Sequence, residues 1–291
     1  RVAAATVDHG LRPEAAEEAR FVAAICADRG IPHTTLTPAA PISGSIQASA
    51  RAARYALLEG WRQEQAVDWL MTAHHADDQL ETLVMRANRS SGVGGLAGIR
   101  ARQGVILRPL LDWRRDELAA LVAAAGIVAV DDPSNRDERY DRARLRPMLS
   151  DCRLVDPIAV SAVAHTLAEA DAALDWTVER LVSEGLLRTP LLRDKGKIER
   201  QATRKTADLP AELLRRLMLR ALAAVAAEPF TPRGNQLVAA IKALARGEQT
   251  MLGTVLIRPD RQDPSHWHFR RAPPPRQRGD VGRDDGQGEQ N

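Results

Sequence analysis

Apolar and polar positions fall into two regimes along this chain. In the first half, short apolar runs alternate with longer stretches in which apolar side chains recur every three to four residues, the period of a helix that buries one face. Residues 2–7 and 31–36 read as strands, and residues 13–29 between them as a helix opened by Pro13 and stopped by Gly30. A loop over 38–45 leads into a helix that Ser45 can cap and that carries Ala48, Arg51, Arg54, Tyr55 and Leu58. The alternation then repeats with a strand at 67–71, a helix at 77–87, an edge-like strand at 106–107, and a helix capped by Asp112 and ended by Gly126. Alternating β and α units predict an α/β fold with a doubly wound parallel sheet.

Beyond about residue 150 the pattern is helical alone, over 157–187, 211–226 and 232–245, the last with Thr231 as cap and Gly247 as stop. The polar stretch 191–209 predicts a loop or a short irregular strand pair, and segments 254–257 and 266–270 predict a small hairpin. Residues 272–291, with Pro273-Pro274-Pro275 followed by Gly, Asp, Gln and Arg, have the composition of a disordered tail. The expected organisation is an α/β domain over 1–148, a smaller, mainly helical domain over 149–271, and that tail.

Composition narrows the class. A chain of 291 residues holds about two domains, and no apolar run approaches the roughly 20 residues that cross a bilayer. The opening residues lack both an initiator Met and the apolar core of a signal peptide, and read as a strand cut from something longer. Cys26 and Cys152 stand far apart without a CxxC, so neither a disulfide framework nor a zinc site is indicated, and a reducing, cytoplasmic setting fits best. Net charge is only +3, but the cations are nearly all arginine, whose forks suit phosphate; genomic composition explains the same bias. Aromatics at 3% argue against a sheet of base-stacking platforms.

The densest chemistry lies in Thr72-Ala73-His74-His75-Ala76-Asp77-Asp78-Gln79-Leu80-Glu81-Thr82, directly after a predicted strand, where open α/β folds bind ligands. Asp77 and Glu81, four residues apart, share a helix face with Asp78 nearby, and like charges so close need a metal, an ammonium group or an arginine. The alternative is an acidic first turn that complements the helix dipole.

Four further segments join this one: Val7-Asp8-His9-Gly10-Leu11-Arg12; residues 46–58 with Arg51-Ala52-Ala53-Arg54-Tyr55; residues 88–98; and Arg108-Pro109-Leu110-Leu111 leading to Asp131-Asp132-Pro133-Ser134-Asn135. In this order they resemble the tRNA(Ile)-lysidine synthase family of PP-loop ATP-pyrophosphatases, specifically over residues 1–148 and in a weaker, helical way to about 270, where that family carries a tRNA-contacting domain. The resemblance implies ATP-dependent ligation of free L-lysine to the wobble cytidine of tRNA(Ile): ATP adenylates the base with release of pyrophosphate, then the lysine ε-amine expels AMP. ATP and Mg²⁺ are the implied cofactors, tRNA(Ile) and L-lysine the partners, and a homodimer is open.

It also implies roles for residues. His75, Asp77, Asp78, Gln79 and Glu81 fall in the family's active-site segment, with Asp77, Asp78 and Glu81 as candidates to hold the substrate ammonium or Mg²⁺. Arg51 and Arg54, with Tyr55, suit a cationic clamp on phosphate or on the lysine carboxylate, the alternative being arginines that merely flank the core. Asp8 and His9 follow the first strand, near a nucleotide in folds of this type, though His9 equally suits a local turn. In the Gly-rich loop, Arg89, Ser91 and Gly92 are candidates to grip an ATP or tRNA phosphate, against simple flexibility. Arg139, Arg142, Arg144 and Arg146 are candidates for the tRNA backbone, against a hinge helix paired through Asp137, Glu138 and Asp141.

Two departures stand out. Ala143 replaces the Asn usual between these arginines, and the superfamily's Ser-Gly-Gly-x-Asp-Ser phosphate loop, expected about one helix ahead of residue 1, occurs nowhere in the chain. The expectation is a protein truncated at its start and itself inactive or unstable. Competing readings are a metal-dependent phosphoesterase using His74, His75, Asp77 and Asp78, a non-catalytic tRNA-binding module, and a tRNA thiolase, for which Cys26 and Cys152 are poor candidates.

Overall fold

The computed structural model describes residues 2–10, 14–39, 46–130, 139, 141–150, 152, 154–188, 199–202, 209–226, 228–262 and 266–272. The chain divides into two compact units, Arg1–Asp171 and Ala172–Asn291, so the boundary expected near residue 148 falls inside the first. Pro13, Ser45, residues 131–138 and the tail expected over 272–291, apart from Ala272, lie outside the described residues.

The first unit runs β1 (Ala4–Val7), α1 (Glu14–Asp28), β2 (His33–Leu36), α2 (Ile46–Glu64), β3 (Leu70–Met71), α3 (Ala76–Ala87), α4 (Val93–Leu96), β4 (Arg102–Gln103), β5 (Ile106–Leu107), α5 (Arg115–Ala124) and α6 (Asp141–Ser150), before α7 (Pro157–Ser183) begins. β1 pairs with β2 in parallel, Ala4 opposite His33, and β3 pairs with β5 in parallel, Leu70 opposite Ile106. These are the parallel pairings that alternating β and α segments require, because a parallel neighbour needs a crossover connection. β4 is an antiparallel addition that the apolar pattern did not reveal, since Arg102 and Gln103 are both polar and exposed.

Several element limits differ from expectation for local reasons. β3 covers only the last two residues of the predicted 67–71 strand. Ahead of it the chain turns through Ala66 at φ +51°, and the Arg62 guanidinium takes the Val67 carbonyl at 2.7 Å. Asp112 does not cap α5. Arg114 holds the N-cap position, and its N–H donates to Glu117 at 2.8 Å.

The second unit holds the rest of α7, then β6 (Leu187–Arg188), β7 (Glu199–Ala202), α8 (Ala211–Val225), α9 (Gly234–Ala245), β8 (Thr250–Leu252), β9 (Val255–Pro259) and β10 (Trp267–Arg271). The predicted hairpin is β9 with β10, but it forms the middle of a five-stranded antiparallel sheet ordered β6-β7-β10-β9-β8. Strands of two to four residues leave too few positions for alternation to show, and β7 meets β10 only across a long sequence separation, Trp267 opposite Ala202.

α8 presents Leu217, Met218, Ala221, Leu222 and Val225 at helical spacing to the core, where they join Val255, Ile257, Trp267 and Phe269. Arg216, buried on the same helix, is neutralised by Glu212 at 2.8 Å and Asp175 at 2.7 Å. Gly253 turns the chain between β8 and β9 at φ +57°, and a Cβ there would meet the Phe230 ring at 3.0 Å. Among the described residues no helix is long and apolar enough to cross a membrane.

Phe269 is only 1% exposed at the centre of this core. Phe269→Ala is expected to cost about 3–5 kcal/mol, read as a lowered urea midpoint of the transition that reports the second unit.

Candidate active site at the carboxyl ends of the parallel strands

The candidate residues sit where β1 and β3 end. After β3, Thr72 Oγ1 lies 2.9 Å from His74 Nδ1, and His75 takes an extended conformation (φ −127°, ψ 179°) as the N-cap of α3. The Asp78 carboxylate accepts the His75 backbone N–H at 3.1 Å, closing the first turn. Asp77 turns the other way and accepts the backbone N–H of Arg115 at 2.8 Å, which ties the start of α5 to the start of α3. The His75 ring stands between the two carboxylates, with Nδ1 3.5 Å from Asp77 and Nε2 3.6 Å from Asp78.

Glu81, one turn further along, is 3% exposed and faces α6. Arg146 Nε donates to Oε1 at 2.8 Å. Arg142 Nε lies 3.0 Å from Oε2, near enough for charge pairing although not aligned as a hydrogen bond. Arg142 also donates from Nη2 to Thr82 Oγ1 at 3.0 Å. The Glu81 hydrogen bond, followed by the Glu81, Asp78 and Asp77 charges, outweighs burial and raises the Arg146 pKa, so Arg146 serves the whole acidic cluster. The cationic partner that these carboxylates need is thus supplied, for Glu81, from within the chain. Arg142 and Arg146, expected on a tRNA backbone, turn inward to a buried carboxylate because leaving it unpaired would cost several kcal/mol.

Gln79 departs from the expected ligand role most clearly. Its amide donates to the Ile99 carbonyl at 3.0 Å and accepts the Ile99 N–H at 2.6 Å, so both ends are spent on backbone. Gly98, at φ +63°, permits this approach, since a Cβ there would overlap the Gln79 amide.

The Gly-rich loop is likewise packed. Arg86 donates to the Gly95 carbonyl at 2.7 Å, Arg100 donates to the Gly94 carbonyl at 3.4 Å and pairs with Asp171, and Ser91 lies under Gly95 where a Cβ would collide. Gly92 is exposed at the start of α4, while Arg89 pairs with Asp141 at 2.8 Å and Arg144 with the same carboxylate at 2.6 Å. Hydrogen bonds from Arg89 and Arg144 hold the Asp141 carboxyl below its usual range. Arg139 lies ahead of α6 and is exposed. Nothing in the sequence pointed to the Arg100–Asp171 pair, whose members are 71 positions apart.

At the end of β1, Asp8 accepts the Gly10 N–H at 2.8 Å in a local turn, and Arg54 Nε donates to His9 Nε2 at 3.4 Å, joining this turn to α2. Arg51 does not join that contact. It stacks on Tyr55 at 5.0 Å, a cation–π pair one helical turn apart. Burial lowers the His9 pKa, with Arg54 adding and Asp8 opposing. Burial likewise lowers that of His74, opposed by Asp78 and reinforced by Arg108, Arg51 and Arg142. Arg51 and Arg142, from two different helices, therefore both project positive charge onto the end of β3. Among the described residues no three His, Cys, Asp or Glu side chains converge as metal ligands, so the dinuclear cluster of the phosphoesterase reading is not assembled there.

Known proteins resemble this chain over most of its length. The PP-loop domain family matches residues 1–152. The chain is 41% identical over 282 residues to the tRNA(Ile)-lysidine synthase of Zymomonas mobilis, covering 94% of this chain and 82% of that protein. It is 43% identical over 279 residues to that of Novosphingobium aromaticivorans, covering 92% and 80%. To that of Ruegeria pomeroyi it is 40% identical, covering 88% of this chain and 62% of that protein. Among solved structures, the U34-tRNA thiolase NcsA of Methanococcus maripaludis aligns at 14% identity with a TM-score of 0.48, over 57% of this chain and 60% of that one. Identity of this order across nine-tenths of the chain, with the PP-loop domain over its first half, places the protein in the tRNA(Ile)-lysidine synthase family.

Proposed function

We propose that the protein ligates L-lysine to the wobble cytidine of tRNA(Ile) at the expense of ATP, with Asp77 and Asp78 as the carboxylates that meet the lysine ammonium. The observation that carries the assignment is the division of labour along α3: Glu81 is paired internally by Arg142 and Arg146, whereas Asp77 and Asp78, with the His75 ring between them, each accept a backbone amide and, among the described residues, no arginine hydrogen bond. A carboxylate that accepts one N–H has further acceptor capacity for a cation. Such a group also accepts the proton that the ε-ammonium must lose before its nitrogen can attack C2 of the activated base. His75, standing between the two carboxylates, orients them.

Asp8, His9 and Arg54, joined at the end of β1, are the described residues suited to the nucleotide, and ATP supplies the adenylyl group that activates the base oxygen. Mg²⁺ carried on the nucleotide phosphates needs only one or two protein carboxylates, a role that Asp77 or Asp78 can fill. For the tRNA backbone, Arg89, Arg144 and Arg139 face outward. The Arg89 and Arg144 pairs with Asp141 are exposed and exchange readily for phosphate.

The direct test supplies the full-length gene product with tRNA(Ile), ATP and radiolabelled lysine. Lysine-dependent label in the tRNA with release of AMP is expected, and tRNA binding without label would overturn the assignment. Asp77→Asn and Asp78→Asn keep an acceptor for each backbone amide but lose the charge. Each is expected to lower lysine incorporation at least tenfold, a loss of about 1.4 kcal/mol of transition-state stabilisation, with little change in Tm. Glu81→Gln is expected instead to lower stability by about 3 kcal/mol, seen in thermal unfolding, because it unpairs two arginines.

Burial makes the folded-state pKa of His9 and of His74 lower than the ordinary 6.5. Each neutral imidazole therefore contributes stability that is present above pH about 6.5 and is lost as acid drives it through its folded pKa. The urea midpoint of the parent protein is expected to fall between pH 7 and 5, and to fall less in His74→Gln.

A further inference from the structure

The far end of α3 carries a second feature that the ligation chemistry does not use. Met85 and Asn88 stand one turn apart there, with Arg89 just beyond the C-cap, and residues 141, 144, 145 and 148 share one face of α6. Between these two faces is a cleft of about 260 Å³. Met85, Leu145 and Met148 give it apolar walls, and Asn88, Arg89, Asp141 and Arg144 a polar rim.

The rim is open and its donors are not exhausted. The Arg89 and Arg144 side chains are 65% and 60% exposed, and among the described residues each guanidinium is hydrogen-bonded through Nη2 alone, to opposite oxygens of Asp141. Two arginines against one carboxylate leave the rim net positive. Asn88 gives its backbone N–H to the Val84 carbonyl at 3.0 Å, but its exposed side-chain amide has no hydrogen bond among the described residues. Met148 is 71% exposed, so one wall is apolar surface left in solvent.

Thioether and leucine walls pack on the faces of a flat ring, a free amide meets its edge, and guanidiniums take phosphate: together these are the means by which an unstacked base of single-stranded RNA is held. The Asn88 amide sets one acceptor beside one donor, the complement of an exocyclic amine next to a ring nitrogen. Asp141 has acceptors only, so it favours the amine and repels a keto oxygen. Adenine offers that edge on a large ring system, whereas guanine and uracil present keto oxygens. We propose that the cleft between α3 and α6 holds an unstacked adenine of the tRNA substrate, its amine edge on Asn88 and its neighbouring phosphates on Arg89 and Arg144. Phosphate that takes these guanidiniums frees the Asp141 oxygens for the second amine hydrogen. Asn88 lies ten positions beyond Asp78, about 15 Å along α3, so the adenine belongs to the same loop as the base delivered to the carboxylates. The inference rests on the ligation reading in taking tRNA as the substrate.

The test titrates the full-length protein, by fluorescence anisotropy, into two labelled RNA heptamers with three uridines on either side of a central adenosine or of a central purine riboside. Purine riboside stacks as adenosine does but lacks the amine. The parent protein is expected to bind the adenosine heptamer roughly tenfold more tightly. Asn88→Ala is expected to bind both heptamers equally, and Arg89→Gln to weaken both alike with a shallower salt dependence. Both positions are exposed, so neither variant disturbs the core. Equal binding of the two heptamers by the parent, or a difference that survives in Asn88→Ala, would overturn the proposal. The titrations need neither lysine nor ATP. Lysine incorporation without adenine discrimination therefore sinks the cleft alone, and discrimination without incorporation sinks the ligation reading alone.

Discussion

A carboxylate buried to 3% exposure in the middle of a helix sets the terms for much of the first unit. A side chain so desolvated needs cationic partners, and α6 supplies two arginines to Glu81 from 61 and 65 positions away. That pairing fixes where α6 lies against α3 and brings Arg142 within electrostatic reach of His74. It also leaves Asp77 and Asp78 without an arginine hydrogen bond among the described residues, each accepting a backbone amide beside the His75 ring. One desolvated charge thus couples the packing of a helix to the electrostatics of the strand end beside it.

The same logic recurs around the glycine-rich segment. Of its two sequence readings, a phosphate grip or simple flexibility, the packing speaks against the second, because side chains fasten the backbone: Arg86 on Gly95, Arg100 on Gly94, and Gln79 on both backbone groups of Ile99. Its glycines serve close approach at Gly94, Gly95 and Gly98, where added Cβ atoms would meet Asp171, Ser91 and Gln79. Rigid loops place neighbouring groups reproducibly, and here the placed groups are guanidiniums.

In the second unit the dominant constraint is apolar. α8 and α9 cover one side of a sheet whose strands are mostly too short to stand alone, and Trp267 and Phe269 on β10 bind both layers together. Arg216, a charge buried among the described residues, is again handled by paired carboxylates.

Periodicity and motif order in the sequence determined the α/β character of the first unit, its parallel pairings, the limits of α1, α3 and α5 to within a few residues and the clustering of His75, Asp77 and Asp78 at a strand end, but not the short α4 inside the glycine-rich segment. These follow from local rules: a side chain's face is set by its spacing, and chemistry at strand ends follows from alternation. Tertiary structure alone decided which charges are spent. Spacing put Arg142, Arg146 and Glu81 on helix faces but could not say that those faces meet, nor that Gln79 binds Ile99, Arg100 finds Asp171, or β7 completes a sheet with β10. Each of these is a contact between distant segments, and its energy depends on desolvation and geometry that exist only once the chain has folded.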